Sequence, residues 1–325
     1  MPNRSQVHID GALTNISVAY MQSESSFVCN QIFPTVGVTK QSDRYFKYKR
    51  EDWFRDEAQE RGPATESAGG DYEIDNTPSY FCKKYAYHKD VTDEDRTNSD
   101  TPLDADQDAT EFVTSKLMLK KELQWANTYF KTGVWGTDVT GVAGVPAGVQ
   151  IKQWNDAAST PIQDIALYST NMAGVTGKRP NILVLGALVY QALRNHHDIL
   201  DRIRYTERGI VTAELLAALF DVDQVVVAWA VKNAAAKGAA ENNSFILGKG
   251  ALLAYRAPRA GLKTASAGYT FAWTGLKGAS AYGGTIARIP VPLLGQGTER
   301  IEGELAYDMK VVASDLGCFF ATAVA

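Results

Sequence analysis

Cysteine is scarce in this chain: three residues in 325, at Cys29, Cys82 and Cys318, too few and too far apart for a disulfide framework or a zinc-ligand spacing. Long apolar runs are missing too. No stretch approaches the about 18 apolar residues of a membrane span, and the opening MPNRSQVHIDGALTNISVAY holds no continuous apolar run of the signal-peptide kind. The expectation is a soluble chain with reduced thiols, made in a cytoplasm and not exported by a signal peptide. The sequons at Asn3, Asn15 and Asn242 are then incidental. Neither charge is in excess: 33 Lys and Arg face 37 Asp and Glu, a net charge of −4. Such a balance gives no global attraction to nucleic acid or to an anionic membrane.

Catalytic signatures are absent as well. The string nearest a phosphate loop, GVTGKRP at 174–180, lacks the upstream glycine spacing and has Arg179 where Ser or Thr should follow Lys178. Gly141, Gly144 and Gly148 do not fit the dinucleotide fingerprint, and Ser280 lies in GASAY, not in a nucleophile elbow. The acidic clusters at 90–95 and 104–108 miss the calcium-loop pattern. His196 and His197, with Asp198 and Asp201, are the best metal candidate. Adjacent helical residues diverge by about 100°, however, and the pair His197–Asp201 has no third ligand. His8 and His88 are isolated. Glu51, Asp52, Asp56 and Glu57 sit on a polar arm, a poor platform for preorganised chemistry. No catalytic, cofactor-binding or metal-ligating residue is assigned.

What is present is unusual in its order. Residues 1 to about 40 form an arm, with a short helix suggested by Ile9, Leu13, Ile16 and Tyr20 and an extended stretch at FVCNQIFPTVGV, broken by Pro34 and Gly37. From 41 to 88 aromatic and charged residues alternate on two strand-prone stretches around a small-residue tip, Gly62-Pro63-Ala64 through Gly69-Gly70. That pattern suits a long two-stranded ribbon, which is marginal alone and needs a surface to rest on. Between Asp43 and Arg61 six basic and six acidic side chains balance, which favours contact with an identical copy over nucleic acid. Lys83, Lys84 and Lys89, and on the following helix Lys116, Lys120 and Lys121, are expected to be solvated or to face another subunit; non-specific contact with nucleic acid is the alternative.

A helix is expected over 104–132. Pro102 and the acids Asp104, Asp106 and Asp108 suit a helix N-terminus, and Thr132-Gly133 supplies the stop. Its apolar stripe is read as Ala105, Ala109, Phe112, Leu119, Leu123, Ala126 and Phe130, with Val113, Leu117 and Tyr129 as a second row. Residues 133–150 are glycine-rich loop or irregular strand. A helix at 154–172, a strand at 181–185, a helix at 186–200, a Thr212-capped helix at 213–220 and strands at 224–231, 245–247 and 251–255 suggest one mixed-sheet domain over about 151–265. The tail is β: 269–273, 285–289, 300–309, 311–312 and 318–324.

This sequence of parts, with strings such as RPNILVLGALVYQAL and AYDMKVVASDLGCFF, resembles the tailed-bacteriophage major capsid protein of the Hong Kong 97-type fold. The resemblance covers nearly the whole chain and rests on order and proportion. It implies an α+β fold with an N-terminal arm (1–40), an extended β-hairpin loop (41–88), a peripheral domain with a spine helix (89–150, helix 104–132), an inserted axial α/β domain (151–265) and returning peripheral strands (266–325). It implies a non-enzymatic coat protein that self-assembles into hexamers and pentamers of an icosahedral head around double-stranded DNA. Assembly would take place in the bacterial host cytoplasm and end in the virion, with no cofactor and no membrane. The implied partners are copies of itself, a separate scaffolding protein (only about forty residues precede the loop), a portal, a decoration protein and packaged DNA touched non-specifically. The intersubunit contacts it implies on the loop are Tyr45, Phe46, Lys47, Tyr48, Lys49, Arg50, Trp53, Phe54, Arg55, Tyr72, Tyr80 and Phe81. Some relatives crosslink through Lys and Asn; Lys47, Lys49 and Asn76 are on the loop, but no pair is assigned. An encapsulin-type shell and an intracellular α/β enzyme with a long active-site loop are the alternatives.

Overall fold

Two large sheets hold most of the strands of the computed structural model, which describes residues 22, 24–99, 103–203, 211–261, 264–275 and 283–325; three two-stranded pairs hold the rest. The short helix expected near Ile9–Tyr20 and Pro102 lie outside them. The trunk of the first sheet is the strand Glu299–Val311. Leu305 lies between Gly284 and Tyr85, and Tyr307 between Ala272 and Lys83. Strands Gly284–Pro290 and Gly268–Trp273 therefore share one side of the trunk, and Lys83–Val91 takes the other, all antiparallel. Thr35–Val38 adds in parallel outside Gly268–Trp273.

The second sheet has six strands, in the order Gln224–Ala228, Ile182–Gly186, Ala251–Ala254, Gly317–Ala321, Thr137–Val142, Gln150–Lys152. Its central strands read ILVLG, ALLA and GCFFA, apolar at nearly every position, which demands cover on both faces. Alternation sorts the side chains. Leu183, Leu185, Leu253 and Phe320 join a core with Trp154, Ile165, Leu193 and Leu216; Ile182, Val184, Leu252 and Phe319 face another with Phe33, Trp125, Tyr307 and Met309. The second core thus contains the trunk of the first sheet. Strands Thr137–Val142 and Gly317–Ala321, read as parts of the peripheral spans 89–150 and 266–325, are members of this six-stranded sheet. The reason is packing: Cys318 and Phe320 point one way and Phe319 the other, and all three are buried.

The helices also depart from expectation. The one read at 154–172 begins only at Pro161 and runs to Thr176, because Trp154 is committed elsewhere. Its backbone N–H donates to Ala323 O at 2.7 Å and its indole to Asp164 Oδ2 at 3.0 Å. The helix read at 186–200 is two helices, Ala187–Arg194 and His197–Ile203, parted at Asn195-His196. Thr212 does cap Ala213–Phe220, its hydroxyl accepting from Leu215 N. The 224–231 strand ends at Ala228, and Val231–Asn233 pairs separately with Asn243–Phe245.

The long helix spans Ala105–Tyr129 and starts at Asp104, whose carboxylate accepts from Asp106 N and Gln107 N. Its buried row is Ala109, Val113, Leu117, Lys121 and Trp125, while Phe112 is exposed. The inward face therefore joins Ala109 and Ala126 of the first row read to Val113 and Leu117 of the second, with Lys121, Glu122 and Trp125, which neither row included. Gly303 on the trunk explains the choice: a Cβ there would lie 2.7 Å from Val113 Cγ1 and 2.9 Å from Leu117 Cδ1, so the backbone makes room for that row.

Gly186 is equally constrained. A Cβ on it would sit 2.2 Å from the Gly248 carbonyl oxygen, while its own N–H donates to Gly250 O at 3.0 Å. Gly186→Ala must push the buried strand from its neighbour, an overpacking cost of about 1–3 kcal/mol. A denaturation midpoint equal to that of the wild type would contradict this.

Candidate functional site: an extended loop and the strap beneath it

The loop leaves the first sheet as a two-stranded ribbon. Ser42–Arg44 pairs with Ser79–Phe81, and Lys47–Tyr48 with Ile74–Asp75. A single helical turn follows at Arg50–Trp53, and residues 54–73 hold no regular element. The ribbon is shorter than the sequence suggested because DEAQERGPATESAGGD at 56–71 has no aromatic residue and one β-branched residue, Thr65.

Two of the residues implied as contacts turn out to be anchors. Tyr80 is 7% exposed and stacks on Phe271 with ring centroids 4.6 Å apart; the half-buried Tyr45 stacks on the same ring at 5.4 Å. Phe81 N donates to Asp308 Oδ2 at 2.9 Å, leaving its ring exposed. Further out the aromatic surface is free. Phe46 is 66% exposed and Trp53 58%, and Phe54 and Tyr72 are similarly open. Tyr48, Trp53 and Tyr72 form a triangle with centroids 5.8–6.1 Å apart. The exposed charges are steered by ion pairs: Lys49 with Glu73, Arg50 with Asp315 at 2.6 Å, and Arg55 between Asp52 (3.7 Å) and Glu57 (3.9 Å); Lys47 stands opposite Asp75 in the strand register with no salt bridge among the described residues. Phe54 leans towards the end of the Pro161–Thr176 helix, where a Cβ on Gly177 would lie 3.2 Å from its ring. This surface holds exposed apolar rings in a polar, charged setting.

Beneath it lies a strap that sequence reading missed. Glu122 is 0% exposed, and its Oε2 accepts from Val28 N (3.1 Å) and Cys29 N (2.9 Å), opening the short helix Cys29–Ile32. Lys121, read as solvated, is buried. Its ammonium donates to Asn30 Oδ1 at 2.6 Å and lies 5.2 Å from the centre of the Tyr307 ring. Gln31 O accepts from the Arg256 guanidinium at 2.6 Å, and the Gln22 side-chain amide exchanges two hydrogen bonds with the backbone of Val231. The segment thereby ties the long helix to both sheets. Burial pushes the Glu122 carboxyl up, the Lys121 ammonium down and the Cys29 thiol well above its ordinary value. The available signal was position: Lys121 continues the i, i+4 row of Ala109, Val113 and Leu117.

The histidine candidate resolves into a structural staple. Asp198 N donates to His196 Nδ1 at 3.2 Å, which puts the ring proton on Nε2, facing Ser159 Oγ (3.0 Å) and Asp156 O (3.3 Å). A ring so oriented cannot accept a proton from Ser159, whose hydroxyl donates to Asp156 O at 2.7 Å. Desolvation lowers the His196 pKa and keeps it neutral. Among the described residues no group of three or more His, Cys, Asp or Glu could hold a metal ion, and no helix is long and apolar enough to cross a membrane.

No protein-family model matches the chain. The major capsid protein of Pseudomonas phage JBD67 is 29% identical to it over 322 residues, 98% of this chain and 97% of that one. The major capsid protein of Burkholderia phage BcepMu is 27% identical over 233 residues, 69% of each. Among solved structures, a phage-related protein from Bordetella bronchiseptica RB50 superposes with a TM-score of 0.69 at 18% identity, covering 93% of this chain and 94% of its own. The capsid of cyanophage P-SCSP1u gives 0.56 at 12% identity over 98% and 93%. An encapsulin complex from Synechococcus elongatus PCC 7942 gives 0.55 at 11% over 97% and 95%. With these structures the chain shares an α+β fold.

Proposed function

We infer that this chain is a phage major capsid protein of the Hong Kong 97 type, whose task is to bind copies of itself into the shell of the virion. The observation that carries this is the likeness to the JBD67 major capsid protein over 322 residues, a span that includes the loop, the long helix and both sheets. The fold is common to phage and encapsulin shells; the names of the sequence relatives favour the phage. A non-enzymatic role fits the adhesive loop, and the nearest approach to a catalytic pair, Ser159–His196, carries its proton on the wrong nitrogen.

In this reading residues up to 40 act as the N-terminal arm and 41–88 as the extended loop, which lies over a neighbouring copy. Ala105–Tyr129 acts as the spine, the six-stranded sheet with its helices as the axial unit and the five-stranded sheet as the peripheral unit. Hexamers and pentamers form through head-to-tail contacts that close, and obligate interfaces of this kind bury roughly 2,000–5,000 Å². Phe46, Trp53, Phe54, Tyr72 and Phe81 supply apolar contact, while Tyr45 and Tyr80 hold the root. A net charge of −4 suits a wall that touches packaged DNA without reading it. A separate scaffolding protein, a portal and a decoration protein complete the partners.

Negative-stain electron microscopy with light scattering on the chain, co-expressed with its neighbouring genes, tests the reading. Rings, tubes or shells are the expected result. A stable monomer or dimer at high concentration would sink it.

A further inference from the structure

The charges on the loop are segregated. Residues 51–75 carry nine carboxylates against two guanidinium groups, a net charge of −7. The root is the reverse: residues 40–50 carry five bases against one acid, and 76–89 add Lys83, Lys84 and Lys89 with no acid. The even balance over 43–61 comes from averaging across the junction between these regions. Much of each charge is unspent within the subunit. Asp56, Glu60, Glu66 and Asp71 at the tip, and Arg44, Lys47 and Lys83 at the root, are exposed and have no salt bridge among the described residues. Lys47 has only Asp75 facing it across the ribbon. The inner rungs, 42–44 with 79–81, hold Lys40, Arg44 and Lys83 at the sheet end, while residues 51–73 lie beyond the outer rungs, 47–48 with 74–75, where the two sets meet at Lys47 opposite Asp75 and Lys49 beside Glu73. The bond from Cys82 N to Gln41 O (2.8 Å) places Lys40 and Lys83 together at the root end.

We propose that the acidic tip of one copy docks on the basic root of the next, on Arg44, Lys47 and Lys83, so that charge sets the direction in which copies pack. The proposal rests on the reading of the loop as an intersubunit arm and gives that arm its receptor. Tip against tip or root against root sets like charges together, which disfavours pairing through like patches. Tip against root admits the heterologous arrangement that rings and shells require, each copy giving its tip to one neighbour and its root to the other. The aromatic rings of the loop then add apolar contact to an encounter whose direction charge has chosen.

The test is charge reversal with restoration. One variant carries Glu60→Lys, Glu66→Lys and Asp71→Lys; a second carries Arg44→Glu, Lys47→Glu and Lys83→Glu; a third carries all six. All six sites are exposed, so each variant should stay folded, with at most a small drop in melting temperature where Lys47→Glu faces Asp75 across the ribbon. Each single set should lower the yield of assembled particles, read by sedimentation and electron microscopy, about tenfold or more, and the combined set should recover to within about twofold. Wild-type assembly should slow as salt shortens the range of the attraction. Single sets that assemble like the wild type, or a combined set as defective as either, would overturn the docking while leaving the capsid reading in place. A wild-type chain that forms no assemblies would remove both.

Discussion

Removal of Arg61–Gly70 leaves a folded, soluble protein that no longer closes shells. Every residue in that stretch is exposed, and its described bonds are local, Arg61 to Thr65 O and Thr65 to Gly62 O. Changes at such sites alter stability by about 0.5 kcal/mol or less. The reach of the loop suffers far more. Ten residues of extended chain span up to about 35 Å; taken from a tip they shorten both arms, so the reach falls by up to about half of that, and the loop no longer lies fully across a neighbour. Each copy then loses the same contact, and the losses multiply over a closed surface. The expected outcome is an unchanged melting temperature with particle counts at least about a hundredfold lower, which corresponds to only about 2.7 kcal/mol summed over the whole particle. Normal shells from this deletion would show that the loop is dispensable to closure.

The second large effect is in the strap. Glu122→Ala should cost about 3–5 kcal/mol, the range for removing one member of a buried charged network. Two backbone donors, Val28 N and Cys29 N, lose their acceptor, and Lys121 is left buried with a neutral partner. Urea denaturation measures the loss, and protease sensitivity near residues 22–38 reports release of the strap. Glu122→Gln keeps an acceptor without the charge and separates the two effects. Its pH dependence has a definite sign. The folded pKa of Glu122 lies above its unfolded value, mainly through burial. The folded state therefore binds the proton more readily, and the resulting stabilisation is full below the ordinary carboxylate range and is lost as pH rises through the raised value. Glu122→Gln lacks this loss, so it should gain on the wild type between acid and neutral pH. Parallel stability curves for the two would contradict the assignment.

Much of the fold was legible from order and period. The acidic start of the long helix, the buried ILVLG strand and the Thr212 cap follow from local chemistry that tertiary packing leaves intact. What failed did so where a distant backbone decided the outcome. Gly303 selects which apolar row of the long helix faces inward, and nothing within 105–129 announces it. The backbone bond to Ala323 O keeps Trp154 out of the helical chain, while its indole reaches back to Asp164 on that helix. On the loop, composition marked an adhesive segment, but Tyr80 and Phe81 look alike until Phe271 is placed against one of them. Glu122 reads as an ordinary surface residue unless it is placed in the row that ends on the buried Ala126.

Phe271, the ring under Tyr45 and Tyr80, belongs to the strand Gly268–Trp273, which in turn leans on Glu299–Val311. The six-stranded sheet is likewise split until Gly317–Ala321 enters between Ala251–Ala254 and Thr137–Val142. During synthesis the loop therefore emerges from the ribosome more than two hundred residues before the last strand it depends on. A nascent or prematurely stopped chain displays the sticky rings without the seat that aims them. A chain that stops before Val311 lacks the strand on which Gly268–Trp273 leans, so the order of strands along the chain leaves the seat of the loop to be completed late in synthesis.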